Sequence, residues 1–565
     1  MSKKLLCTLL AAIMIVATAL TGCGGSDGDS KSGGSGEVVW NIKTNPKSWD
    51  PGKNANAEGG HISNNIFEGL MRDTEDGSLE PGVAESYELS DDETVYTFHL
   101  RKDAKWSDGE PVTAKDFEYA WKRVCDADTA ATYAFIMTPY IKGAQAYYDG
   151  TGSADDIGVK ALDDYTLEVQ LNFPVAYFLN LTSFYTYMPV RQDCVEKGDG
   201  WEKDPETCIS NGPFKLEEYK SDLHIILTKN DEYWNADSIK LDKIKAVMIK
   251  ETTTAFQGYQ SGEIQCLDSV PNEEIANLKS SDSNFTIKPR VKNLYFVANY
   301  DKKPTSDPKV RKALALAIDR TALVEKVTKG GEIPATGMVP PTLTYSDGKS
   351  FRNLDADGNP LPEYGIDPSK ALVEEAQKLL AEAGYPNGEG FPEIELLFNV
   401  DEQNQKIAEA VQQMWKDNLN INVALRTEDF TTFRKTVFEG NYDLAINSWG
   451  GDYADPMTML DIFTSYSDIN NTQWRWQPYE TQPNDKTMNP SNKDFDEYIK
   501  GAQSTSGTER DEYLRKAEQL LIGDEMICIP VLFPSLTLII DESVVEGVYT
   551  TVMGQWMFDK AQLVE

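Results

Sequence analysis

The sequence predicts an α/β protein of two or three domains. Its 565 residues are too many for one hydrophobic core of ordinary size. Three short apolar segments in the second half of the chain, at residues 394–398, 421–425 and 444–446, have the length of strands and alternate with helical patterns. We find no internal repeats, and we expect a cleft between the domains.

The first half of the chain contains one well-defined strand followed by a helix. In Val95–Leu100 the apolar residues alternate with polar ones, which is the pattern of a strand with one buried face. Thr113 and Asp116 have the spacing of a capping box, and apolar side chains recur at helical spacing from Phe117 to Val124. These segments therefore predict a half-buried strand and an amphipathic helix.

Two further helices and two loops are predicted in the second half of the chain. An apolar stripe predicts a helix over residues 308–329, which two consecutive glycines terminate. A second helix is predicted over residues 371–383, with Asp367 as its cap and a glycine after its last residue. The polar, turn-rich stretches 355–362 and 478–493 predict surface loops.

The net charge of −37, from 54 basic and 91 acidic residues, argues against a nucleic-acid partner. So acidic a surface repels phosphate backbones and offers no counterion release to drive binding. Apolar residues make up 40% of the chain and aromatic residues 10%, which is typical of a globular protein. We therefore attribute the acidity to a solvated surface.

The first 22 residues have the pattern of a lipoprotein signal peptide. Lys3 and Lys4 form a positive start, an apolar stretch extends to Leu20, and the sequence Leu-Thr-Gly-Cys ends at Cys23. That ending matches the bacterial lipobox, in which the cysteine receives a diacylglycerol, so we expect a lipid on Cys23. Residues 23–36, rich in Gly, Ser and Asp, predict a flexible linker. The alternative is an ordinary signal peptide with an incidental cysteine.

The rest of the chain contains no second apolar run of about 18 residues, so we do not expect the mature protein to span a membrane. Five cysteines remain after Cys23, and an odd number cannot all pair. Cys194 and Cys208 are close enough in sequence to close one loop. Free buried thiols are an equally good interpretation, because sequence does not establish their geometry.

One long motif near the N-terminus resembles a known family. Residues 81–117, with the run Tyr-Thr-Phe-His-Leu-Arg-Lys-Asp-Ala-Lys-Trp-Ser-Asp-Gly, resemble the signature of the oligopeptide-binding proteins, in the peptide/nickel family (family 5) of solute-binding proteins of ABC importers. More of the family pattern follows in order at residues 211–216, 310–320, 380–386 and 449–456. The resemblance covers nearly all of the mature chain.

The resemblance implies a bilobal periplasmic-binding-protein-like fold, with two α/β lobes joined by two crossovers and an extra domain in the N-terminal half. In this family the lobes close over the ligand by hinge motion. The partition that we expect is a signal peptide at 1–22, a linker at 23–36, lobe I at 37–67, 188–292 and 530–565, the extra middle domain at 68–187, and lobe II at 293–529.

The resemblance also implies how a ligand is held. Peptide binders of this family bind an extended peptide like an added strand, and an aspartate holds its α-ammonium. The motif that carries this aspartate here reads Trp449, Gly450, Gly451, Asp452. Asp452 falls on the matching position, and a desolvated ammonium needs such a charge partner.

Further ligand contacts follow from the same resemblance. Phe430 falls where the family often has a pocket tryptophan, and Tyr133 where a tyrosine contacts the ligand backbone. Packing is an equally good interpretation of either ring. The main-chain groups of Ala57, Ser448 and Gly450 are expected to pair with the peptide.

The sequence departs from the enteric members of the family at the carboxyl end of the ligand. Basic residues there neutralise the peptide carboxylate, whereas Ile446, Asn404 and Thr328 occupy the matching positions here. Lys329 is the nearest basic residue. Our hypothesis is that the carboxyl end is not tightly held.

The resemblance implies a monomeric, lipid-anchored receptor on the outer face of the bacterial cytoplasmic membrane, which delivers oligopeptides to ABC permease subunits and their ATPases. Alternative ligands on the same fold are a dipeptide, a sugar, haem or a nickel chelate, and a peptide pheromone receptor would have the same sequence features. A glycoside hydrolase is the rival of another class, but no catalytic motif supports it. With only three histidines, we expect no metal site and no cofactor.

Overall fold

The computed structural model describes residues 36–467, 469–475 and 490–564. Its strands form one seven-stranded, one six-stranded and one four-stranded sheet, together with three two-stranded sheets. Helices lie between the strands along the chain, so the predicted α/β class is confirmed. The two-stranded sheets pair Met71–Asp73 with Leu79–Pro81, Val545–Glu546 with Gln562–Leu563, and Tyr549–Thr550 with Trp556–Met557.

The seven-stranded sheet combines segments from both ends of the described chain. Its first strand pairs in parallel with Cys266–Leu267, and most of the other pairs are antiparallel. The strands, in spatial order, are Phe285–Pro289, Ser535–Ile540, Cys266–Leu267, Glu37–Asn41, Lys243–Val247, His224–Lys229 and Phe214–Lys220.

The six-stranded sheet is built mainly from the second half of the chain. Lys292–Ala298 is buried at six of its seven positions, which is typical of a strand with both faces covered. The strands, in spatial order, are Ile333–Pro334, Cys528–Phe533, Lys292–Ala298, Leu444–Gly450, Ile394–Asn399 and Val423–Glu428.

The chain passes between these two sheets twice, each time through a very short connection. Residues 290–291 join the strand that ends at Pro289 to the strand that begins at Lys292. Pro534 alone joins the strand that ends at Phe533 to the strand that begins at Ser535. Such short links between two sheets are suited to act as hinges.

The four-stranded sheet is antiparallel and contains the predicted strand Val95–Leu100. Tyr96, Phe98 and Leu100 are buried while the residues between them are partly exposed, so the predicted alternation is confirmed. The strands, in spatial order, are Ala84–Leu89, Val95–Leu100, Thr166–Gln170 and Val159–Asp163.

The predicted capping box begins the helix Ala114–Val124. The Thr113 backbone N–H donates to Asp116 Oδ2 at 2.7 Å. The four apolar side chains that defined the helical spacing are buried. Both the start and the buried face of this helix are therefore confirmed.

The α-helices of the described residues vary from three to eighteen residues in length. They are Ala57–Ile66, Ala114–Val124, Ala144–Tyr148, Phe178–Leu181, Gln192–Val195, Thr252–Gln260, Asn272–Ser281, Pro308–Leu316, Arg320–Ala322, Val373–Glu382, Glu402–Leu419, Phe430–Phe438, Met457–Leu460, Pro490–Gln503 and Gly507–Glu518. Two π-helical segments, Leu323–Thr328 and Gln519–Asp524, extend helices that precede them.

The single helix predicted over 308–329 is wrong, because the structure breaks it after Leu316. Asp319 Oδ1 accepts from the Ala322 backbone N–H at 2.8 Å and so starts a new helix. The buried Arg320 guanidinium donates to the Ala315 carbonyl at 3.1 Å, which satisfies an open end of the first helix. Two local hydrogen bonds thus replace the continuous helix, which the apolar spacing alone did not reveal.

The helix predicted over 371–383 begins two residues later, at Val373, and Asp367 does not cap it. The Asp367 carboxylate instead accepts from the Ser369 backbone N–H at 2.9 Å and closes a turn before the helix. The helix ends as expected, because Gly384 follows with a φ of +99°.

The three predicted strands of the second half exist, but all three have different bounds. The strand expected at 394–398 continues to Asn399. The strand expected at 421–425 is Val423–Glu428, and the one expected at 444–446 continues to Gly450. The loop predicted at 478–493 is wrong from Pro490 onward, where a helix starts with proline at its first turn. Its residues 478–489 lie outside the described part of the chain.

In the part of the chain that the structure describes, none of the helices is long and apolar enough to cross a membrane. The cysteines of this part, Cys125, Cys194, Cys208, Cys266 and Cys528, are all buried free thiols. Cys194 and Cys208 are therefore not bonded to each other in this structure.

Candidate functional site

A cavity of about 660 Å³ lies between two distant parts of the chain. One wall comes from residues 132–145 with Phe173, and the other from residues 434–469 with Gln503. The lining is largely aromatic and apolar, with a few polar groups, as in most small-ligand sites. Its polar and aromatic members include Tyr133, Tyr140, Arg434, Trp449, Asp452, Tyr453, Thr458, Asp461, Thr464 and Tyr466.

The strand Leu444–Gly450 leads into this cavity. We call it the edge strand below, because one of its sides is unpaired over most of its length. On one side it pairs along its whole length with Lys292–Ala298. On the other side it pairs with Ile394–Asn399 only at Leu444 and Ala445. Beyond Ala445, that side of the edge strand has no strand partner among the described residues. The exposed edge is available to an added strand.

Backbone polar groups of two residues point toward the open edge. The Trp449 backbone N–H donates to Asn293 Oδ1 at 3.2 Å, on the paired side. The Gly451 backbone N–H likewise donates to the Val291 carbonyl at 2.8 Å. Because successive residues of a strand alternate in direction, the main-chain groups of Ser448 and Gly450 face the open edge. The Ser448 N–H donates there to Asn447 Oδ1 at 3.0 Å. Both residues lie on the unpaired side of the strand, and their pairing with a peptide stays a prediction.

Gly451 allows the chain to turn closely past its neighbours after the edge strand. A Cβ at this position would lie 2.5 Å from Val291 Cγ1 and 2.8 Å from Thr458 Cγ2. At Gly450, by contrast, no atom lies within 4 Å of the corresponding point. A side chain is therefore excluded at Gly451, while the space beside Gly450 is open.

Hydrogen bonds fix the loop that carries Asp452. The Trp449 indole N–H donates to the Thr458 carbonyl at 2.7 Å, and the Asp452 backbone N–H donates to Thr458 Oγ1 at 2.9 Å. Thr458 belongs to the short helix Met457–Leu460, whose residues are all buried. The position of Asp452 at the end of the edge strand is thus held by a packed element.

The Asp452 carboxylate is half-buried in the cavity, and no ion pair to it is found among the described residues. Burial raises its pKa to about 7, and a hydrogen bond from the Tyr133 hydroxyl acts in the opposite direction. The Tyr133 hydroxyl in turn accepts a hydrogen bond from Tyr185. A desolvated carboxylate without a cation is suited to hold an ammonium group.

A second carboxylate, Asp461, lines the same cavity and was missed by the sequence analysis. It is half-buried and accepts a hydrogen bond of 3.2 Å from the Tyr453 hydroxyl. Burial and then the charge of Asp452 raise its pKa to about 7. The available signal was a single charged residue within the largely apolar run at 457–463.

The structure brings Asp452, Trp449 and Tyr133 together in the cavity, but it places two other expected residues outside the lining. Phe430 begins the helix Phe430–Phe438 and is 65% exposed. Ala57 begins the helix Ala57–Ile66 and is exposed, although Ala55 lines the cavity. Cys23 lies outside the described residues.

Three residues occupy the positions at which enteric members of the family have basic residues, and each is buried or hydrogen-bonded within the protein. Ile446 is 2% exposed. Asn404 Nδ2 donates to Asn399 Oδ1 at 3.0 Å, and the Thr328 hydroxyl donates to Glu332 at 2.8 Å. Lys329 is exposed. None of the four lines the cavity.

The described residues contain no group of three or more His, Cys, Asp and Glu side chains placed to hold a metal ion. Two of the histidines lie near a glutamate, His99 near Glu88 and His224 near Glu218. The third, His61, is buried beside Gln555 at 2.8 Å, and burial lowers its pKa. All three are thus found in ordinary protein surroundings.

Comparisons with known proteins agree with this architecture. The profile of the bacterial extracellular solute-binding proteins, family 5 (middle), matches residues 78–471. The oligopeptide-binding protein OppA of Bacillus subtilis is 36% identical over 568 residues, which is 98% of each chain. The crystal structure of a periplasmic oligopeptide-binding protein from Borrelia burgdorferi is 30% identical with a TM-score of 0.75, over 94% of this chain and 100% of that one.

A third similar protein was solved with a peptide. The structure of Haemophilus influenzae OppA in complex with the peptide RPPGFSPFR is 29% identical with a TM-score of 0.72, and the match covers 94% of this chain and 99% of that one. The proteins of this family are binding proteins and not enzymes. With a family profile over residues 78–471 and a relative of 36% identity along nearly the whole length, this chain belongs to family 5 of the bacterial extracellular solute-binding proteins.

Proposed function

We propose that this protein captures oligopeptides, each bound as an extended strand along the open edge of Leu444–Gly450 with its α-ammonium on Asp452. One observation carries the proposal. The edge strand loses its partner after Ala445 and leads directly to a half-buried carboxylate that has no ion pair in the described part of the chain. An extended chain with a free ammonium complements both features at once.

The relatives support the choice of ligand. The Bacillus subtilis protein is named for oligopeptide binding, and the Haemophilus influenzae structure holds a peptide of nine residues. A cavity of about 660 Å³ accommodates the side chains of such a ligand and does not select a single peptide sequence.

In the proposed complex, each site residue has a distinct role. Asp452 pairs with the α-ammonium, and Tyr133 holds the Asp452 carboxylate in place. The backbones of Ser448 and Gly450 hydrogen-bond to the peptide, and Gly451 lets the chain turn toward the ammonium. Trp449 forms part of the cavity wall.

We further propose that the protein closes around its ligand. The two lobes follow the seven- and six-stranded sheets, and the four-stranded sheet belongs to the extra domain. Because Cys528–Phe533 pairs within the six-stranded sheet, we place the second crossover at Pro534 instead of at residue 530. Closure about residues 290–291 and Pro534 is what would bring Phe430 and the backbone of Ala57 to the peptide.

The carboxyl end of the peptide has no dedicated cation in this proposal. Ile446 is buried and apolar, and Thr328 is hydrogen-bonded to Glu332. Longer or C-terminally amidated peptides should therefore bind as well as free acids. A large loss of affinity for the amide, measured by calorimetry, would show that the end is pinned.

The proposed cellular role is peptide import. A lipid on Cys23 and a flexible segment at 24–36 would keep a monomeric receptor at the outer face of the cytoplasmic membrane. There it would deliver peptides to the permease and ATPase subunits of an ABC importer. Radioactive palmitate labelling of the expressed protein, compared with its Cys23→Ala variant, tests the anchor.

The direct test of the ligand site is Asp452→Asn, which keeps the size of the side chain and removes its charge. We expect the affinity for peptides to fall by about tenfold or more, since hydrogen bonds to a charged group contribute about 1.5–3 kcal/mol. The matched control is Asp199→Asn, because the Asp199 side chain is 99% exposed and is not one of the lining residues of the cavity. Unchanged peptide affinity in the Asp452 variant would contradict the anchor.

Mass spectrometry of molecules that co-purify with the native protein tests the ligand class independently. We expect a mixture of peptides of several lengths. A single sugar or a metal chelate would contradict peptide capture.

A further inference from the structure

We propose that Asp461 is a second cation-binding residue of the cavity, which makes the protein prefer peptides whose first side chain is positively charged, lysine or arginine. This inference rests on the proposed function, because it takes the α-ammonium of the peptide to lie at Asp452. It names the class of peptide that the same site selects.

The position of Asp461 places a second negative charge beside the proposed ammonium site. Asp452 and Asp461 line the same cavity, and the charge of Asp452 contributes to the raised pKa of Asp461. Asp461 begins the short helical turn Asp461–Phe463, directly after the buried helix Met457–Leu460. A side chain that leaves the first residue of a peptide at Asp452 therefore enters the space that Asp461 lines.

The carboxylates of this region differ in whether the protein neutralises them. Asp455 forms an ion pair of 2.7 Å with Arg510, whose guanidinium also lies over the Tyr177 ring. Asp461 has a hydrogen bond from Tyr453 but no lysine or arginine within 4 Å in the described part of the chain. A half-buried carboxylate that lacks a cation in the empty protein is suited to receive one from a ligand.

Aromatic rings around Asp461 favour the same class of side chain. Tyr140, Tyr453, Tyr466 and Phe173 all line the cavity. Tyr177 stacks on one face of Tyr453, and the Lys500 ammonium lies 5.6 Å from the centre of the Tyr466 ring, so the free ring surface comes from the remaining faces. The faces of such rings attract cations, and their apolar surface packs against the methylene groups of lysine or arginine. A norleucine side chain would gain the packing but not the attraction, which is the basis of the test below.

Arg434 is the one basic residue among the described lining residues, and its charge opposes this preference. It is exposed, so water and salt screen its charge, whereas Asp461 is half-buried. The described lining therefore holds two carboxylates and one guanidinium. After the α-ammonium has neutralised Asp452, Asp461 remains the unpaired, desolvated charge.

The test uses calorimetry with peptides that differ only in their first residue, which is lysine, norleucine or glutamate. For the wild-type protein we expect the lysine peptide to bind at least about tenfold more tightly than the norleucine peptide, and the glutamate peptide to bind most weakly. Asp461→Asn should reduce the preference for lysine to within about twofold, by weakening the lysine peptide and leaving the norleucine peptide unchanged. A peptide with lysine moved to the second position should show no such preference.

The outcomes separate this inference from the proposed function. If the wild-type protein binds the norleucine and lysine peptides equally tightly, the role of Asp461 is wrong, while peptide binding at Asp452 stands. If Asp461→Asn keeps the preference for lysine, the inference is also wrong. If no peptide binds, both the inference and the proposed function are wrong. The wild-type comparison needs no variant, so misfolding of Asp461→Asn does not remove the test.

Discussion

The chemistry of Asp452 depends on the lack of an ion pair to its carboxylate in the described part of the chain. Its carboxylate is half-buried, and the described residues provide a tyrosine hydroxyl but no cation. Burial raises its pKa to about 7, so the empty site is partly protonated near neutral pH. An arriving ammonium would favour the ionised form, which couples ligand binding to proton release.

Proton release on binding is the expected consequence at this residue. At about pH 6 Asp452 is mostly protonated in the empty protein, because its pKa lies above that pH. A peptide ammonium lowers this pKa, so binding should release close to one proton per peptide with a neutral first side chain. Calorimetry in buffers of different ionisation enthalpy measures the number of protons. Asp452→Asn should release none, and an equal release from that variant would assign the protons to another group.

The adjacent glycines Gly450 and Gly451 are expected to differ in how much a substitution by alanine lowers the stability of the protein. Gly451→Ala places a Cβ 2.5 Å from Val291 Cγ1, so we expect it to lower the free energy of unfolding by about 1–3 kcal/mol. Gly450→Ala is the matched control, since its Cβ would meet nothing within 4 Å. Denaturant unfolding of both variants provides the comparison. Equal stability of the two variants would show that the loop relaxes around the added methyl group.

The site was only partly predictable residue by residue. Asp452 was predicted because the motif that contains it resembles that of the family, and the structure places it in the cavity. Whether it holds a peptide stays a prediction. Asp461 was not predicted, because its proximity to Asp452 depends on how the short helix Met457–Leu460 packs. In so acidic a chain, one aspartate within a largely apolar run was only a weak signal.

Among the elements, the edge strand is the one that determines how a ligand binds in the proposed complex. Its open side begins where pairing with Ile394–Asn399 stops, after Ala445. A peptide that adds to this side gains main-chain hydrogen bonds whatever its sequence. Broad specificity for the side chains beyond the first one follows from this geometry.

Methylation of single peptide nitrogens tests the added strand. Amides that face Ser448 and Gly450 should lose affinity when methylated, by about 0.5–1.5 kcal/mol for each lost hydrogen bond. Amides that point away from the edge strand should tolerate the methyl group, so the losses should alternate along the peptide. Affinity measurements on a series of singly methylated peptides reveal the pattern. Equal losses at every position would contradict a ladder of hydrogen bonds.

Local patterns predicted the type of most of these elements but not all of their bounds. Val95–Leu100 and Ala114–Val124 were confirmed because alternation and capping are local signals. The break after Leu316 was missed because the apolar spacing shows neither the Asp319 cap nor the buried side chain of Arg320, which also donates to the Pro530 carbonyl far along the chain. Such tertiary hydrogen bonds leave no trace in the apolar spacing.

For the whole molecule, two short connections between large sheets favour hinge closure over the ligand. Residues 290–291 and Pro534 link the sheets, so a small change in their backbone angles could move one lobe relative to the other. Phe430 is 65% exposed in the present conformation, so its ring contributes little to the packing of the empty protein. In the proposed closed complex the ring would be buried.

Phe430→Ala separates a role in closure from a role in stability. We expect the free energy of unfolding of the empty protein to change by less than about 0.5 kcal/mol, as for other exposed positions. Peptide affinity should fall, since the ring would be buried only in the closed complex. Phe433→Ala is the contrasting variant, because Phe433 is 3% exposed and its loss should destabilise the empty protein. Unchanged peptide affinity in Phe430→Ala would remove this residue from the site.

The pairing of Asp452 with the peptide ammonium is tested most directly by a double-mutant cycle. Affinities are measured for a free-amine peptide and its N-acetyl form, each with the wild-type protein and with Asp452→Asn. We expect a coupling free energy of about 1.5–3 kcal/mol, because each single change removes the same charged hydrogen bond. Effects of the two changes that simply add would contradict the ammonium site at Asp452.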